Sequence, residues 1–217
     1  MKGQFITFEG TEGSGKSTHI SLLAETLRDG GRTVRVLREP GSTTIGEEIR
    51  HTLKHSRQNH AMTVEAELLL LNASRAQLVR EVIRPALAAG EAVLCDRFYD
   101  STVAYQGYGR QLDLKLIRTV IDFVVGETRP HLTLLMMVPV GTSEARRQGR
   151  QGSGPAVRDR FEEADRAFFE RVEKGFRDIA ADEPRRVVLI DSTREMAAVR
   201  ADIWRRTAAL LEQAERA

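Results

Sequence analysis

The sequence predicts a doubly wound α/β domain, with a five-stranded parallel sheet and helices on both faces. Short apolar runs alternate along the chain with longer segments in which apolar residues recur every three or four positions. A glycine-rich stretch separates the first apolar run from the first such helical segment. The 217 residues suffice for one compact domain with a full core, so we expect a single domain over residues 1–217.

The five strands are predicted from short apolar runs bounded by glycine, proline or polar residues. They cover residues 4–9, 33–37, 92–95, 132–138 and 187–190. Strands that alternate with helices form a parallel sheet covered on both faces. Ligands of such sheets bind beyond the carboxyl ends of the strands. We therefore expect the functional residues to follow the strands directly.

The helices are predicted from apolar residues at helical spacing. They cover residues 16–28, 43–53, 64–89, 114–125, 161–181 and 195–212. Pro85 lies inside the longest of them and predicts a kink there. Residues 146–160 are glycine-rich and basic, and we expect this segment to be a loop, neither strand nor helix, that acts as a lid.

The composition argues against nucleic-acid-binding and membrane proteins. The 33 basic and 31 acidic residues give a net charge of +2, so there is no electrostatic case for binding nucleic acid. No apolar stretch approaches the roughly 20 residues that span a bilayer, so we expect no membrane association. The single cysteine, Cys95, cannot form an internal disulfide, and the sequence begins in a strand without a signal peptide. We expect a cytoplasmic location.

A complete phosphate-binding motif lies between the first strand and the first helix. It has the form G-x-x-x-x-G-K-[ST], and its residues are Gly10, Thr11, Glu12, Gly13, Ser14, Gly15, Lys16 and Ser17. Backbone N–H groups of such a P-loop surround a phosphate at the positive end of the helix. Lys16 is expected to reach the β- and γ-phosphates of a nucleotide, and Ser17 to bind Mg²⁺. The fold is thus predicted to be that of a P-loop NTPase.

The motif alone does not separate kinases from other nucleotide-binding proteins. A GTPase would carry an N/T-K-x-D guanine motif, which is absent here, and a motor or transporter ATPase would have a longer chain. A kinase acting on a small molecule is therefore favoured.

Two arginines at strand ends predict a second anionic ligand. Arg38 ends the second strand, and Asp96 and Arg97 end the third, where a carboxylate can hold Mg²⁺ and an arginine can bind a phosphate. Arg75 lies on a helix face shared with leucines and valines, so it should point inward and needs a partner. That partner is either a buried carboxylate or a ligand such as the edge of a base, and spacing alone leaves the two equally open.

Five strings resemble those of the thymidylate kinases in order and spacing: FEGTEGSGKST, LREPGST, ASRAQL, CDRFYDSTVAYQGYGR and RPHLTLL. They cover most of the chain, and AYQG-x-GR is especially characteristic. The resemblance implies the reaction ATP + dTMP ⇌ ADP + dTDP, a requirement for Mg²⁺, a five-stranded parallel core and a homodimer.

The resemblance also implies roles for individual residues. The dTMP phosphate is expected to bind Arg38 and Arg97, and the thymine carbonyl to bind Arg75. Glu12 would approach the 3′-hydroxyl of the acceptor and help to place its phosphate, and Asp96 would orient Mg²⁺. The remaining expected contacts are Leu71, Thr102, Tyr105 and Gln106 around the base and deoxyribose, and Thr18 and Arg146 around ATP.

The same resemblance assigns the catalytic arginine to the lid. Gly13 follows Glu12, where some family members carry an arginine, and those without it supply the arginine from the lid instead. Arg150 matches that role best, with Arg158 and Arg160 as further candidates. The expected catalytic residues are therefore Glu12, Lys16, Arg97 and Arg150.

Several residues depart from the family pattern. The aromatic residue that usually precedes the base-contacting arginine by four positions is Leu71 here, and it is followed by Asn72. Ser42, His131 and Met137 replace a common glycine, acid and aspartate. Two alternatives therefore stay open: a pyrimidine deoxynucleoside monophosphate kinase with another base preference, and a nucleotide-binding relative with weak or no catalysis.

Overall fold

The computed structural model describes residues 3–56, 58–150 and 165–216, without the side chains of residues 147–150 and 216. Its sheet has five parallel strands in the order β2-β3-β1-β4-β5. The strands are β1 Gln4–Glu9, β2 Val34–Arg38, β3 Ala92–Asp96, β4 Leu132–Met137 and β5 Val187–Asp191. The predicted α/β fold with a five-stranded parallel sheet is confirmed.

Helices cover both faces of this sheet. They are α1 Lys16–Asp29, α2 Thr44–Lys54, α3 Val64–Leu78, α4 Arg84–Ala88, α5 Tyr99–Thr102, α6 Leu114–Val125, α7 Val140–Arg150, α8 Arg166–Asp182 and α9 Met196–Arg216. Two π-helical segments, Val79–Ile83 and Val103–Gly109, and a 3₁₀ turn, Asn59–Ala61, complete the described elements. No helix in the described ranges is long and apolar enough to cross a membrane.

The core consists of two apolar layers, one on each side of the sheet, because successive side chains of a strand point to opposite faces. On β1, Phe5 packs with residues of α3, α6 and α8, whereas Ile6 and Phe8 pack with residues of α1 and α9. Thr7 and Glu9 are buried as well, although they are polar. Their side chains find hydrogen-bond partners within the fold: Thr7 pairs with Thr133, and Glu9 with residues after β3.

The topology brings the carboxyl ends of β1, β3 and β4 next to one another. The chain leaves β1 for β2 on one side of the sheet, returns through β3, and then crosses to β4 on the other side. Loops at such a reversal diverge and leave a crevice at the carboxyl ends of the strands. The glycine-rich loop (residues 10–17) follows β1 into this crevice, between the ends of β3 and β4.

The prediction of a loop over residues 146–160 is wrong at its beginning, because residues 146–150 form the last part of α7. Pro139 precedes this helix, as is common at a helix start, and Val140 and Ser143 are buried. The Ser143 hydroxyl donates to the carbonyl of Glu12, 2.6 Å away, which fixes α7 against the glycine-rich loop. Residues 151–160 of the expected lid lie outside the described part of the chain.

The helix predicted over residues 64–89 is interrupted at another place than expected. Helices α3 and α4 are joined by the π-helical segment Val79–Ile83, which precedes Pro85. A proline has no N–H and its ring clashes with the carbonyl four residues earlier, here in Glu81. The wider turn around that carbonyl accommodates the ring, so the irregularity lies one turn before the proline.

The other differences concern element boundaries and two helical segments that were not predicted. Strand β2 begins and ends one residue later than predicted, and α9 continues to Arg216. Helix α8 begins at Arg166, and the preceding residues 161–164 lie outside the described ranges. Helix α5 and the π-helical segment Val103–Gly109 were not predicted as helical, and they carry several residues of the site.

Candidate active site

One pocket of about 400 Å³ lies at the carboxyl ends of β1, β2 and β3. It brings together most of the residues that the sequence analysis assigned to substrates. Those residues are Glu12, Gly13, Gly15, Lys16, Ser17, Thr18, Arg38, Leu71, Arg75, Asp96, Arg97, Thr102, Tyr105 and Gln106. Gly10, Thr11, Ser14 and Arg146 do not line it and lie around the glycine-rich loop instead.

The backbone of the glycine-rich loop requires its glycines. Gly10, Gly13 and Gly15 have φ angles of 127°, 77° and 90°, in the region that side chains disfavour. A Cβ atom on Gly10 would also lie 2.2 Å from the carbonyl oxygen of Met136 in β4. The loop can therefore wind tightly between strand and helix, with its N–H groups at the N-terminus of α1.

Lys16 is folded against this loop. Its ammonium donates to the carbonyls of Gly10 (3.1 Å) and Thr11 (2.9 Å) and to the Ser14 hydroxyl (3.4 Å). Burial and the nearby Arg97 guanidinium lower the pKa of Lys16 to about 8. The ammonium is thus charged at neutral pH, and an anion beside it would favour that charged form further.

Arg97 joins the glycine-rich loop to the second half of the pocket. Its Nη2 lies 2.8 Å from Glu12 Oε1, and its Nη1 donates to the Ser101 hydroxyl at 3.0 Å. Its guanidinium carbon is 5.1 Å from the centre of the Tyr105 ring, a cation–π distance. The Arg97 charge holds the pKa of Glu12 well below its usual range, so Glu12 is a carboxylate.

Asp96 and Ser17 lie side by side next to the phosphate-binding loop. The Ser17 hydroxyl donates to Asp96 Oδ2 at 3.0 Å. No cluster of three or more histidine, cysteine or acidic side chains that could bind a metal occurs among the described residues. One hydroxyl and one carboxylate beside a phosphate loop fit Mg²⁺, which binds through few protein oxygens together with phosphates and water.

Arg38 extends into the pocket from the end of β2. It is held by Glu47 of α2, with Nη2–Oε distances of 3.0 and 2.9 Å. Ser42 organises the turn between them: its hydroxyl accepts from the Arg38 N–H, and its own N–H donates to Glu47. Ser42 has a φ of 65°, in the left-handed region that favours glycine.

Arg75 is buried, as predicted, and its partner is a carboxylate. Only 2% of its side chain and 3% of that of Glu39 are exposed, and the two form an ion pair of 2.7 Å. The guanidinium also donates to Asn72 Oδ1 (3.0 Å) and to the Thr102 hydroxyl (2.9 Å). Of the two partners left open by the sequence, the buried carboxylate is therefore present. Arg75 still lines the pocket, so it can donate to a ligand as well.

The far end of the pocket, away from the glycine-rich loop, is lined by several apolar side chains. Leu71 lies on one side, and Phe98 and Phe169 contribute aromatic surface. Gln106, from the π-helical segment Val103–Gly109, adds an amide at this end. Such a slot, with apolar walls and few polar groups, suits a planar heterocycle.

Glu9 is a buried carboxylate behind the pocket. It accepts hydrogen bonds from the Phe98 N–H (2.7 Å) and the Ser101 hydroxyl (2.5 Å), and it thereby fixes the start of α5. Burial, reinforced by the charge of Asp100, raises the pKa of Glu9 to about 7. Because Ser101 also contacts Arg97, this carboxylate helps to set the position of that guanidinium.

The residues assigned to the lid are only partly described. Arg146 donates to the carbonyls of Gly13 and Ser192, each at 3.2 Å, and so connects the glycine-rich loop to the loop after β5. Arg150 ends α7, but its side chain lies outside the described part of the structure. Arg158 and Arg160 lie outside the described residues altogether.

Several pocket residues were not predicted from the sequence. These are Glu39, Pro40, Arg50, Lys54, Phe98, Ser101 and Phe169. Arg50 and Lys54 lie four residues apart on one face of α2, and that spacing at the end of the predicted helix could have indicated a second pair of cations facing the site. No sequence pattern indicated that Phe169 lines the pocket, because only tertiary packing brings α8 there.

The chain resembles known proteins over almost its whole length. Residues 8–203 match the family model described as thymidylate kinase. The thymidylate kinase of Pseudomonas fluorescens is 47% identical over 214 residues, which cover 99% of each chain. That of Deinococcus radiodurans is 45% identical over 94% of this chain and 95% of its own. The crystal structure of thymidylate kinase from Ehrlichia chaffeensis superimposes with a TM-score of 0.74 at 33% identity, covering 94% of this chain and 98% of the other.

Proposed function

The chain belongs to the thymidylate kinase family and is an enzyme that phosphorylates dTMP, and we propose that the pocket described above binds ATP and dTMP together. The observation that carries this proposal is the Arg97–Glu12 contact of 2.8 Å, which joins the glycine-rich loop to the arginines opposite it. The family uses ATP as phosphate donor. A single transfer from ATP to the dTMP phosphate would thus occur where the two halves of the pocket meet.

The donor would bind at the glycine-rich loop. The loop N–H groups at the start of α1 and the Lys16 ammonium favour the β- and γ-phosphates. Arg146, which spans from this loop to the loop after β5, would lie near the adenine. Phosphoryl transfer needs mainly positioning and neutralisation of the charge on the transferred oxygens, and these groups supply both.

The acceptor would bind with its phosphate between Arg38 and Arg97. Arginine is suited to this role because it presents planar pairs of N–H donors to phosphate oxygens. The base would occupy the slot beside Leu71, where Arg75 can donate to its carbonyl, and the deoxyribose would lie against the Tyr105 ring. Glu12, held as a carboxylate by Arg97, would face the 3′-hydroxyl.

Ser17 and Asp96 would hold Mg²⁺, in keeping with their 3.0 Å contact beside the phosphate loop. When bound, Mg²⁺ neutralises charge on the phosphate oxygens. Arg150 is proposed as the lid arginine that approaches the transferred group. Such an arginine contributes about 10³–10⁵ in rate in related phosphoryl transfers.

The molecule is proposed to be a single domain over residues 1–217, with a lid at about 146–160, that acts as a homodimer in the cytoplasm. Support for the dimer comes from exposed apolar side chains on the adjacent helices α3 and α6. Leu69, Leu116 and Phe123 are 60%, 54% and 83% exposed. Apolar residues so exposed on neighbouring helices mark an association surface. The cytoplasmic location fits a single, buried cysteine thiol.

The test is a coupled assay of ADP release with dTMP, dUMP, dCMP and dGMP as acceptors. We expect dTMP to have the highest kcat/KM, and Arg97→Met to lower it by at least about 100-fold through loss of charge-assisted hydrogen bonds. A better acceptor among the other three would contradict the thymine assignment. Binding of ATP and dTMP without turnover would favour a non-catalytic relative.

A further inference from the structure

A buried carboxylate lies behind the far end of the pocket. Glu67, in the first turn of α3, has a side chain that is 0% exposed, and it lies against Gln106 and Arg110. We propose that Glu67 is a positioning residue that fixes the amide of Gln106, so that the pocket selects a pyrimidine whose N3 carries a hydrogen. This inference rests on the proposed binding of dTMP in the pocket.

The contacts of Glu67 determine the orientation of the Gln106 amide. Gln106 Nε2 donates to Glu67 Oε1 at 2.9 Å. Arg110 donates to the same carboxylate with Nε (3.3 Å) and Nη2 (3.2 Å), and this salt bridge requires an ionised Glu67. An ionised carboxylate offers only acceptors, so the amide nitrogen of Gln106 must face it. The reversed amide would place two acceptors against each other in a buried environment.

The orientation of Gln106 has a consequence for the pocket. With Nε2 held by Glu67, the carbonyl Oε1 points away from it, and Gln106 lines the pocket beside Thr102 and Arg75. No hydrogen bond to this oxygen occurs within the described ranges of the chain. The pocket therefore presents one fixed acceptor, from Gln106, next to one donor-only group, Arg75.

This pair of groups complements one class of base. Thymine and uracil carry an N–H at N3 beside a carbonyl at C4, which matches an acceptor beside a donor. Cytosine carries a lone pair at N3 and an amino group at C4, so both of its contacts would be reversed. A site built to pair with a polar group rejects a ligand that leaves its own buried groups unpaired. Glu67 would enforce this rejection without touching the base.

The experiment compares kcat/KM for dTMP and dCMP, by ADP release, in three variants. Glu67→Met removes the acceptor at nearly constant length, so Gln106 can turn, and we expect the dTMP-to-dCMP ratio to fall at least about tenfold, mainly through the KM for dTMP. In the exchange variant E67Q/Q106E, the amide at position 67 can donate to the carboxylate at position 106, whose other oxygen remains an acceptor for the base. We expect this variant to keep the preference for dTMP over dCMP. Glu65→Met, on the exposed side of the same turn, is the matched control and should leave the ratio unchanged.

The outcomes separate the inference from the proposed function. Equal loss of activity towards dTMP and dCMP in Glu67→Met would show a purely structural role and overturn the inference, while dTMP turnover by the unmodified enzyme would still support the function. Absence of dTMP turnover by the unmodified enzyme would refute the function itself. Should Glu67→Met fail to fold, the exchange variant decides: a retained ratio supports the inference, and a lost ratio contradicts it.

Discussion

At the level of single residues, Arg97 connects the glycine-rich loop to the other half of the pocket. Its backbone N–H donates to the Phe8 carbonyl of β1, and its φ of 68° turns the side chain back towards the glycine-rich loop. The guanidinium is then fixed by Glu12 and Ser101. A group that is anchored at both ends loses little further freedom when it binds a phosphate, which is the advantage of a preorganised site.

Lys16 gives a prediction about pH. Its pKa is lowered to about 8, so the ammonium is charged below that pH and neutral above it. Phosphate binding favours the charged form, and we therefore expect log(kcat/KM) for ATP to fall by about one per pH unit above pH 8. Steady-state rates between pH 6 and 10 would measure this. The control is Lys16→Arg, which stays charged and should lack the decline; an unmodified enzyme with a flat profile to pH 10 would refute the prediction.

For individual residues, the sequence predicts some structural properties and not others. Helical spacing correctly predicted that Arg75 faces the interior, because periodicity fixes the direction of a side chain. It could not identify the partner, Glu39, because this residue is 36 positions away in sequence and directly follows β2. Glu67 was missed for the same reason: the contact with Gln106 spans 39 residues. The local sequence pattern thus predicts the direction of a side chain, whereas its hydrogen-bond partners are determined by the tertiary structure.

At the scale of elements, the alternation of strands and helices was predictable. The three inner strands, β1, β3 and β4, are short and largely apolar runs that are buried on both faces, and this composition is distinctive in sequence. Helix α7 was not predicted, because Gly141 and Gly149 and its polar composition resemble a loop. Its stability comes from packing and from the Ser143 contact with the glycine-rich loop, which no local pattern contains.

The π-helical segment Val103–Gly109 illustrates the limit of a fixed helical period. Pattern analysis assumes 3.6 residues per turn, and a wider turn changes which side chains point inward. Here the wide turns place Tyr105 and Gln106 in the pocket, and Arg110 caps the segment with an N–H bond to the Tyr105 carbonyl. The motif predicted that these residues contact a substrate, but it did not predict the π-helical geometry that brings them to the pocket.

At the scale of the whole molecule, the proposed homodimer gives a prediction. Phe123 is the most exposed of the three apolar residues on α3 and α6, and a charge there would prevent a dry contact. We expect light scattering after gel filtration to give about twice the chain mass of 24.3 kDa for the unmodified protein and about the chain mass for Phe123→Asp. Met196→Asp, at an exposed apolar residue of α9, is the control and should leave the mass unchanged. A dimer that persists in Phe123→Asp would place the interface elsewhere.

In the proposed acceptor site, Arg38 and Arg97 hold the phosphate of the acceptor nucleotide opposite the glycine-rich loop. Isothermal titration with dTMP and with thymidine, which lacks the phosphate, measures this directly. We expect thymidine to bind at least about 100-fold more weakly than dTMP, since two charge-assisted contacts are lost, and the difference to shrink in Arg97→Met. Equal affinities for dTMP and thymidine, or an undiminished difference in Arg97→Met, would contradict phosphate binding by these arginines.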